Sequence, residues 1–414
     1  MVKWSNVLIL FRASIIGQAL PLILLPTLVS LYSAEDFGQL GFVIAVYTVL
    51  SIIFTLRLDQ AIVVQETNDL ANEIINTVLL LSAVFSFILL IILLLLSMEF
   101  VYVDDNLLVL CVTVYLSNLW AITNSINQYL IREEMYKVVA SAKVLLACTI
   151  LAFQFIFYYL DVQPGLLAAQ VIGMTLVTIY LFLKISKYTE YHFAFVRVES
   201  IQKLLKVNKN FCLYMMPNSL MNSISINSPQ ILLSYFFSAH ATGIYVLANR
   251  FVGAPLGMIT SSISQVIYSS TSKLKLKGEL TSTMIDSFIK RQVLIGIAPF
   301  SALGLYSLDF SEWFLGDDWT EVALIVQFMA PWLFMLFINT PITVLVNVYQ
   351  KQKEYLLFEM VTLLLRVSSI YYGYYKCPED FMYSIKLFAS VSFVMNVLLF
   401  IYIRFSVVKR NCED

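Results

Sequence analysis

Charge is what this sequence is shortest of. Only 13% of its 414 residues are Asp, Glu, Lys or Arg, against 60% hydrophobic, and mean hydropathy is +0.82. A soluble domain carries about a quarter charged residues. No single globular core buries this much apolar side chain, so most of the chain must be solvated by lipid. Net charge is −1, which names no bulk partner and gives no basic surface for nucleic acid. Histidine is nearly absent: His192 and His240 stand far apart, which argues against a His-based metal site or triad. The five cysteines (Cys111, Cys148, Cys212, Cys377, Cys412) are scattered and form no CxxC. They read as small buried hydrophobes, without a disulfide frame or metal site. There is no GxxxxGKS/T, HExxH or GxSxG, so no P-loop ATPase, zincin or esterase elbow is built in. The expectation is a non-enzyme with no catalytic residue and no cofactor.

What the chain has instead is long apolar runs. A bilayer core of about 30 Å takes roughly 20 residues of helix. Twelve runs fit, at about 7–31, 38–58, 74–97, 106–130, 137–160, 164–186, 211–237, 242–270, 285–308, 320–349, 354–375 and 381–404. They should be helices, because an open chain in lipid must satisfy its own backbone. Leu89 to Leu96 does not alternate, which argues against a β-barrel. The fold class is therefore an all-α polytopic membrane protein. The first run holds Arg12, Pro21 and Pro26 and lacks a cleavage site, so it reads as a spanning helix and not a signal.

Charge placement tests that map. Loops after odd-numbered runs contain SAED, MEFVYVDD, DVQ, SAHA, DFSEWFLGDDWTE and KCPED, with Lys376 their only base. The other loops and both ends carry Lys3, Arg132, Lys137, Lys184, Lys187, Arg197, Lys203, Lys206, Lys209, Lys273, Lys275, Lys277, Lys290, Arg291, Lys351, Lys353, Lys409 and Arg410. Lys and Arg resist translocation, so this face is cytoplasmic with both termini inside. The same rule accounts for the acids of DFSEWFLGDDWTE without a glycosidase-like carboxylate pair. Trp313 and Trp319 fit an interfacial aromatic belt. The longest loop contains ESIQKLLKVNKNF, a short basic amphipathic helix suited to the inner surface.

One kind of turn occurs twice. Sliding the chain so that Gly38 falls on Gly243 sets Ser33-Ala34-x-x-x-Gly38 over Ser238-Ala239-x-x-x-Gly243. Helix 2 then falls on helix 8 in span and direction. Six helices repeated in the same orientation give a parallel pair of six-helix lobes. The expected division is 1–205, with the cytoplasmic linker, and 206–414.

Ionisable residues inside spans are functional hypotheses by default. Arg366 lies near the middle of helix 11 and Arg250 well inside helix 8. Arg12, Lys143 and Lys386 are shallower and have the option of snorkelling. Glu359 is seven residues from Arg366, about 10 Å of helix, too far for an unbent ion pair. Arg57 and Asp59 close helix 2 as a clamp or a ligand contact. Embedded acids are scarce, so the interior is biased positive and suits a phosphate or diphosphate, which the guanidinium fork matches. Helix 7 (PNSLMNSISINSPQ) sets Asn218, Asn222, Ser225 and Pro229 at helical spacing. Helix 4 offers Asn118, Thr123, Asn124, Asn127 and Gln128, and helix 10 offers Asn339, Thr343 and Asn347. These amides serve either interhelical hydrogen bonding or a watery cavity that meets sugar hydroxyls.

Together these residues resemble the Wzx-type O-antigen and polysaccharide flippases of the MATE/MOP superfamily. The likeness rests on Tyr32-Ser33-x-Glu35-Asp36-Phe37-Gly38 and Leu56-Arg57-x-Asp59-x-Ala61-Ile62. It also rests on Gly243-x-Tyr245-x-Leu247-Ala248-x-Arg250 with Pro255, and on Gly316-x-x-Trp319. Asp59 stands where such proteins often have Glu. The resemblance implies alternating-access movement of an undecaprenyl-diphosphate-linked oligosaccharide, an O-antigen or capsule repeat unit. The route is from the cytoplasmic to the periplasmic leaflet of a bacterial inner membrane, in lipopolysaccharide or polysaccharide biosynthesis. Arg12, Arg250 and Arg366 would attract the diphosphate, with Lys143 and Lys386 as further candidates, and Asn218 and Asn222 would meet the glycan. The implied partners are the lipid-linked substrate, membrane lipids and a polysaccharide polymerase. With no nucleotide site, an H+ or Na+ gradient or consumption of the product is the expected driving force. The alternatives are a MATE-like cation antiporter, which favours embedded acids, and a membrane polysaccharide polymerase, which favours a larger outer loop.

Overall fold

The structure, a computed structural model, describes residues 4–65, 67–97, 101–189, 191–192, 198–276, 281–316, 319–349 and 351–409. Lys3, Arg197, Lys277, Arg410 and Cys412 lie outside them. The described residues are helical, with no strand. In chain order the helices are α1 (Trp4–Ile23), α2 (Leu25–Leu31), α3 (Ala34–Thr55), α4 (Leu58–Ile62), α5 (Asn68–Ser97), α6 (Val101–Arg132), α7 (Tyr136–Tyr159), α8 (Gly165–Tyr188), α9 (Val198–Val207), α10 (Met216–Phe236), α11 (Ala239–Leu276), α12 (Ser282–Leu315), α13 (Thr320–Ile342), α14 (Val344–Val348), α15 (Gln352–Lys376) and α16 (Phe381–Ile401). Short π-helical stretches, Phe211–Met215 and Tyr402–Lys409, precede α10 and follow α16.

Every expected run is helical. Nine described helices are long and apolar enough to cross a membrane, or ten if α1 and α2 count as one span bent by 41°. The bend falls at Leu24, before Pro26, whose ring has no N–H to donate to the preceding turn. α10 is not among the nine, because its Ser and Asn residues dilute the apolar ones. On α5, Leu80, Val84, Phe87, Ile88, Ile91 and Leu95 are exposed at helical spacing. That stripe is unfavourable in water and suited to acyl chains.

The chain forms two compact units: Met1–Ile23 with Gln39–Asn227, and Leu24–Gly38 with Ser228–Asp414. In the first, α7 pairs with α1 and α8, and α5 with α6. One end of it is closed by a core of Ile62, Ile74, Ile75, Tyr129, Ile185 and Leu204, which seats α9 through Leu204. Tyr191 adds its ring to Tyr129 at 6.0 Å, and its hydroxyl donates to Asn76 Oδ1 at 2.7 Å. In the second unit α13 is central, packed against α11, α12 and α16, while α15 packs on α16.

Both repeated turns are helix N-caps. Ser33 and Asp36 form a capping box: Asp36 Oδ2 accepts from the Ser33 N–H and hydroxyl at 3.0 Å, and the Asp36 N–H donates to Ser33 Oγ at 3.3 Å. Ser238 Oγ likewise accepts from the Ala241 N–H at 3.1 Å. The two helix starts then cross at backbone contact. A Cβ on Gly38 would lie 1.8 Å from the Ala239 carbonyl oxygen, and one on Gly243 would lie 1.8 Å from the Ala34 carbonyl oxygen. The Ala-x-x-x-Gly of each copy is the seat of the other, a small-residue crossing.

Candidate functional site

Arg366 lies near the middle of α15 and is only 8% exposed. Isolated burial of a guanidinium at this depth costs about 2.5–3.5 kcal/mol on insertion scales, so its surroundings must compensate. Its Nε donates to Ser392 Oγ on α16 at 3.0 Å. The guanidinium carbon lies 5.7 Å from the Trp332 ring centre and 5.8 Å from that of Phe388. These rings stand edge to face at 5.4 Å, and Tyr245 of α11 adds an edge to Phe388 at 6.5 Å. The ring faces are the negative ends of aromatic quadrupoles and attract the cation. Glu359, Tyr245 and Tyr355 are within electrostatic reach. Four helices, α11, α13, α15 and α16, thus hold one charge in an aromatic box.

The other candidate cations have different settings. Arg250, half-buried on α11, lies over the Phe37 ring at 5.8 Å. Lys386 is exposed, with Nζ 4.6 Å from the centre of the Phe328 ring. These two and Arg366 belong to the second unit. Arg12 and Lys143 belong to the first. Both are exposed, and Lys143 Nζ donates to Ser14 Oγ at 3.1 Å, tying α7 to α1.

The amide faces divide. Asn218 and Asn222 are exposed, whereas Ser225 and Pro229 on the same helix are buried, so the four do not share one environment. Thr123 meets Thr178 at 2.9 Å, and Asn339 Nδ2 donates to the Asn396 carbonyl at 2.7 Å. Both are buried interhelical bonds, so at these two positions the packing alternative holds.

Arg57 and Asp59 form a separate structure between α3 and α5. Leu56 and Arg57 both take left-handed backbone, with φ of 49° and 59°, at a strain of order 1–3 kcal/mol each. The turn carries Asp59 into the core at 2% exposure. Its Oδ2 lies 3.8 Å from Arg57 Nη1 and accepts from Gln60 Nε2 at 3.4 Å. Burial raises the Asp59 carboxyl above its ordinary range, and Arg57 opposes the rise. One end of the second unit holds a cluster that composition does not suggest, in which His240 lies between Glu35 and Glu321. An apolar groove of about 470 Å³ runs between α12 and α13, lined by Ile297, Phe300, Leu305 and Phe334, with Gln327 Nε2 bonded to the Gly304 carbonyl.

Comparison with known proteins gives both a family and a fold. The family described as "Polysaccharide biosynthesis protein" matches residues 3–275. No curated protein matches in sequence. Among solved structures, the chain is similar to a multidrug resistance MATE family transporter of the MOP superfamily in an inward-facing conformation. That match has 14% identity and a TM-score of 0.71, over 95% of this chain and 98% of the other. The outward-facing conformation of a multidrug resistance MATE family transporter gives 14% identity and a TM-score of 0.62 over 99% and 96%. A MOP superfamily transporter from Pyrococcus furiosus, described as having a binding pocket of reverse polarity, gives 13% and 0.64 over 99% and 96%. At these identities the likeness is one of fold.

Proposed function

Because the chain belongs to the polysaccharide biosynthesis protein family and has the MATE-like fold of a multi-pass membrane transporter, we propose that it is a lipid-linked oligosaccharide flippase. Its substrate is an undecaprenyl-diphosphate-linked repeat unit of O-antigen or capsule. The route is from the cytoplasmic to the periplasmic leaflet of a bacterial inner membrane, by alternating access of the lobes 1–205 and 206–414. Twelve crossings place both termini in the cytoplasm. The diphosphate is attracted by Arg366, Arg250 and Arg12, with Lys143 and Lys386 at shallower stations, and the glycan meets Asn218 and Asn222. The lipid tail stays in the bilayer, an H+ or Na+ gradient or product consumption drives the cycle, and a polysaccharide polymerase acts on the product.

The observation that carries this reading is Arg366. A cation kept at mid-span by four helices has a use for its charge, and a diphosphate is the anion that the proposed lipid-linked substrate carries into the membrane. R366A, R250A and the double variant, at matched membrane levels, are expected to reduce surface glycan, the double variant most. Unchanged glycan in the double variant would remove both from the mechanism. The fold also favours a second reading, a MATE-like cation antiporter. Altered drug susceptibility in a knockout with intact surface glycan would select it.

A further inference from the structure

The two matching turns meet at a histidine. Glu35 and His240 are the second residues of α3 and α11 and lie 205 residues apart, at equivalent places in the repeat. Imidazole Nδ1 lies 3.2 Å from Glu35 Oε1, and Nε2 lies 3.2 Å from Glu321 Oε2 at the start of α13. The three side chains keep 44%, 58% and 45% of their surface exposed, so the site is open to solvent. Asp36 is engaged by Ser33. α16 presents the edge of the Phe381 ring, 6.5 Å from the imidazole, and Asp380 before it accepts from the Tyr383 N–H. Among the described residues, the charged groups against the ring are therefore the two glutamates.

A neutral imidazole has one N–H and one lone pair. Between two carboxylates it donates to one and turns its lone pair on the other. An imidazolium donates at both nitrogens, through charge-assisted bonds. Only a ring protonated at both nitrogens can donate to both carboxylates at once. The helix ends so joined include those that carry the Gly38–Gly243 crossing, where the backbones are already in contact.

We infer that His240, Glu35 and Glu321 form a proton-binding site on the extracytoplasmic side. A proton taken from outside ties the starts of α3, α11 and α13 together, and its loss lets them part. This deepens the transport reading by naming H+ as an ion that biases the cycle, and it rests on that reading for its side of the membrane. Its test does not.

The test is hydrogen exchange of the full chain in lipid nanodiscs at about pH 5.5 and about pH 8, across the range of an imidazole, with labelling times scaled for intrinsic chemistry. Wild-type amides at Phe37–Leu40 and Thr242–Val246 are expected to exchange about fivefold faster at the higher pH, as a local opening becomes easier. H240Q is expected to lose that difference. E35Q/E321Q keeps the imidazole, removes both acceptors and is expected to lose it as well, which covers the case in which H240Q does not fold. Equal wild-type exchange at the two pH values, or a difference that survives in both variants, overturns the site. Surface glycan is not read, so failure here is separate from failure of the flippase assignment.

Discussion

Two buried charges show how differently this chain treats an ionised side chain. Arg366 is compensated by ring faces and a serine hydroxyl, with Glu359 within electrostatic reach. R366K is therefore expected to keep the charge but lose the planar fork and its stacking, giving surface glycan between wild type and R366A. W332L is expected to lower export per folded molecule, since it weakens an attraction worth about 0.5–2 kcal/mol, so export is compared at matched levels of folded protein. Asp59 is the opposite case, an acid pushed into a core between spans. Its carboxyl stands above the ordinary value of 3.8 because burial disfavours the anion, with Arg57 pulling the other way. A raised carboxyl gives a stability contribution that is full below the unfolded value and lost as pH rises through the folded one. The thermal midpoint of the detergent-purified protein should therefore fall as pH rises above 4. The fall should be steeper in R57A, where the opposing cation is gone, and smaller in D59N. A midpoint in R57A with the same pH dependence as D59N would show that Asp59 is not the group responsible.

At the scale of elements, the crossing of α3 and α11 is the contact least tolerant of change. The atoms a new Cβ would meet at Gly38 or Gly243 are backbone, at 1.8 Å, so the helices must separate to admit it. Overpacking of this kind costs about 1–3 kcal/mol. G38A and G243A should each lower the thermal midpoint, and the double variant should cost less than the sum, because one separation accommodates both. The helices themselves were legible because lipid demands long apolar runs. The repeated Ser-Ala-x-x-x-Gly was legible as a repeat, but its packing against its own copy was not, since a shift in sequence carries no distance. The destination of each polar side chain was also hidden. Asn339 bonds a residue 57 positions away, and the box around Arg366 draws on three further helices. His240 carries no signal as a lone histidine, and only its equivalence with Glu35 marks it.

At the scale of the molecule, the asymmetry of Lys and Arg predicts a sidedness that can be tested residue by residue. α9 presents Lys203 and Lys206 to solvent while Leu204 anchors it to the core of the first unit. The segment between α15 and α16 presents Glu379, also exposed, in a loop where Lys376 is the only base. If lysine and arginine retention sets topology, these two sites lie on opposite faces. In a variant with its own five cysteines replaced, K203C in intact cells should resist a membrane-impermeant maleimide until the membrane is opened, and E379C should react at once. The pair discriminates better than either alone, because α10, α11, α12, α13 and α15 lie between K203C and E379C. An even number of crossings between them would put both cysteines on one side. Labelling of both from outside would break the positive-inside map, and with it the orientation assigned to the His240 site and to the substrate path.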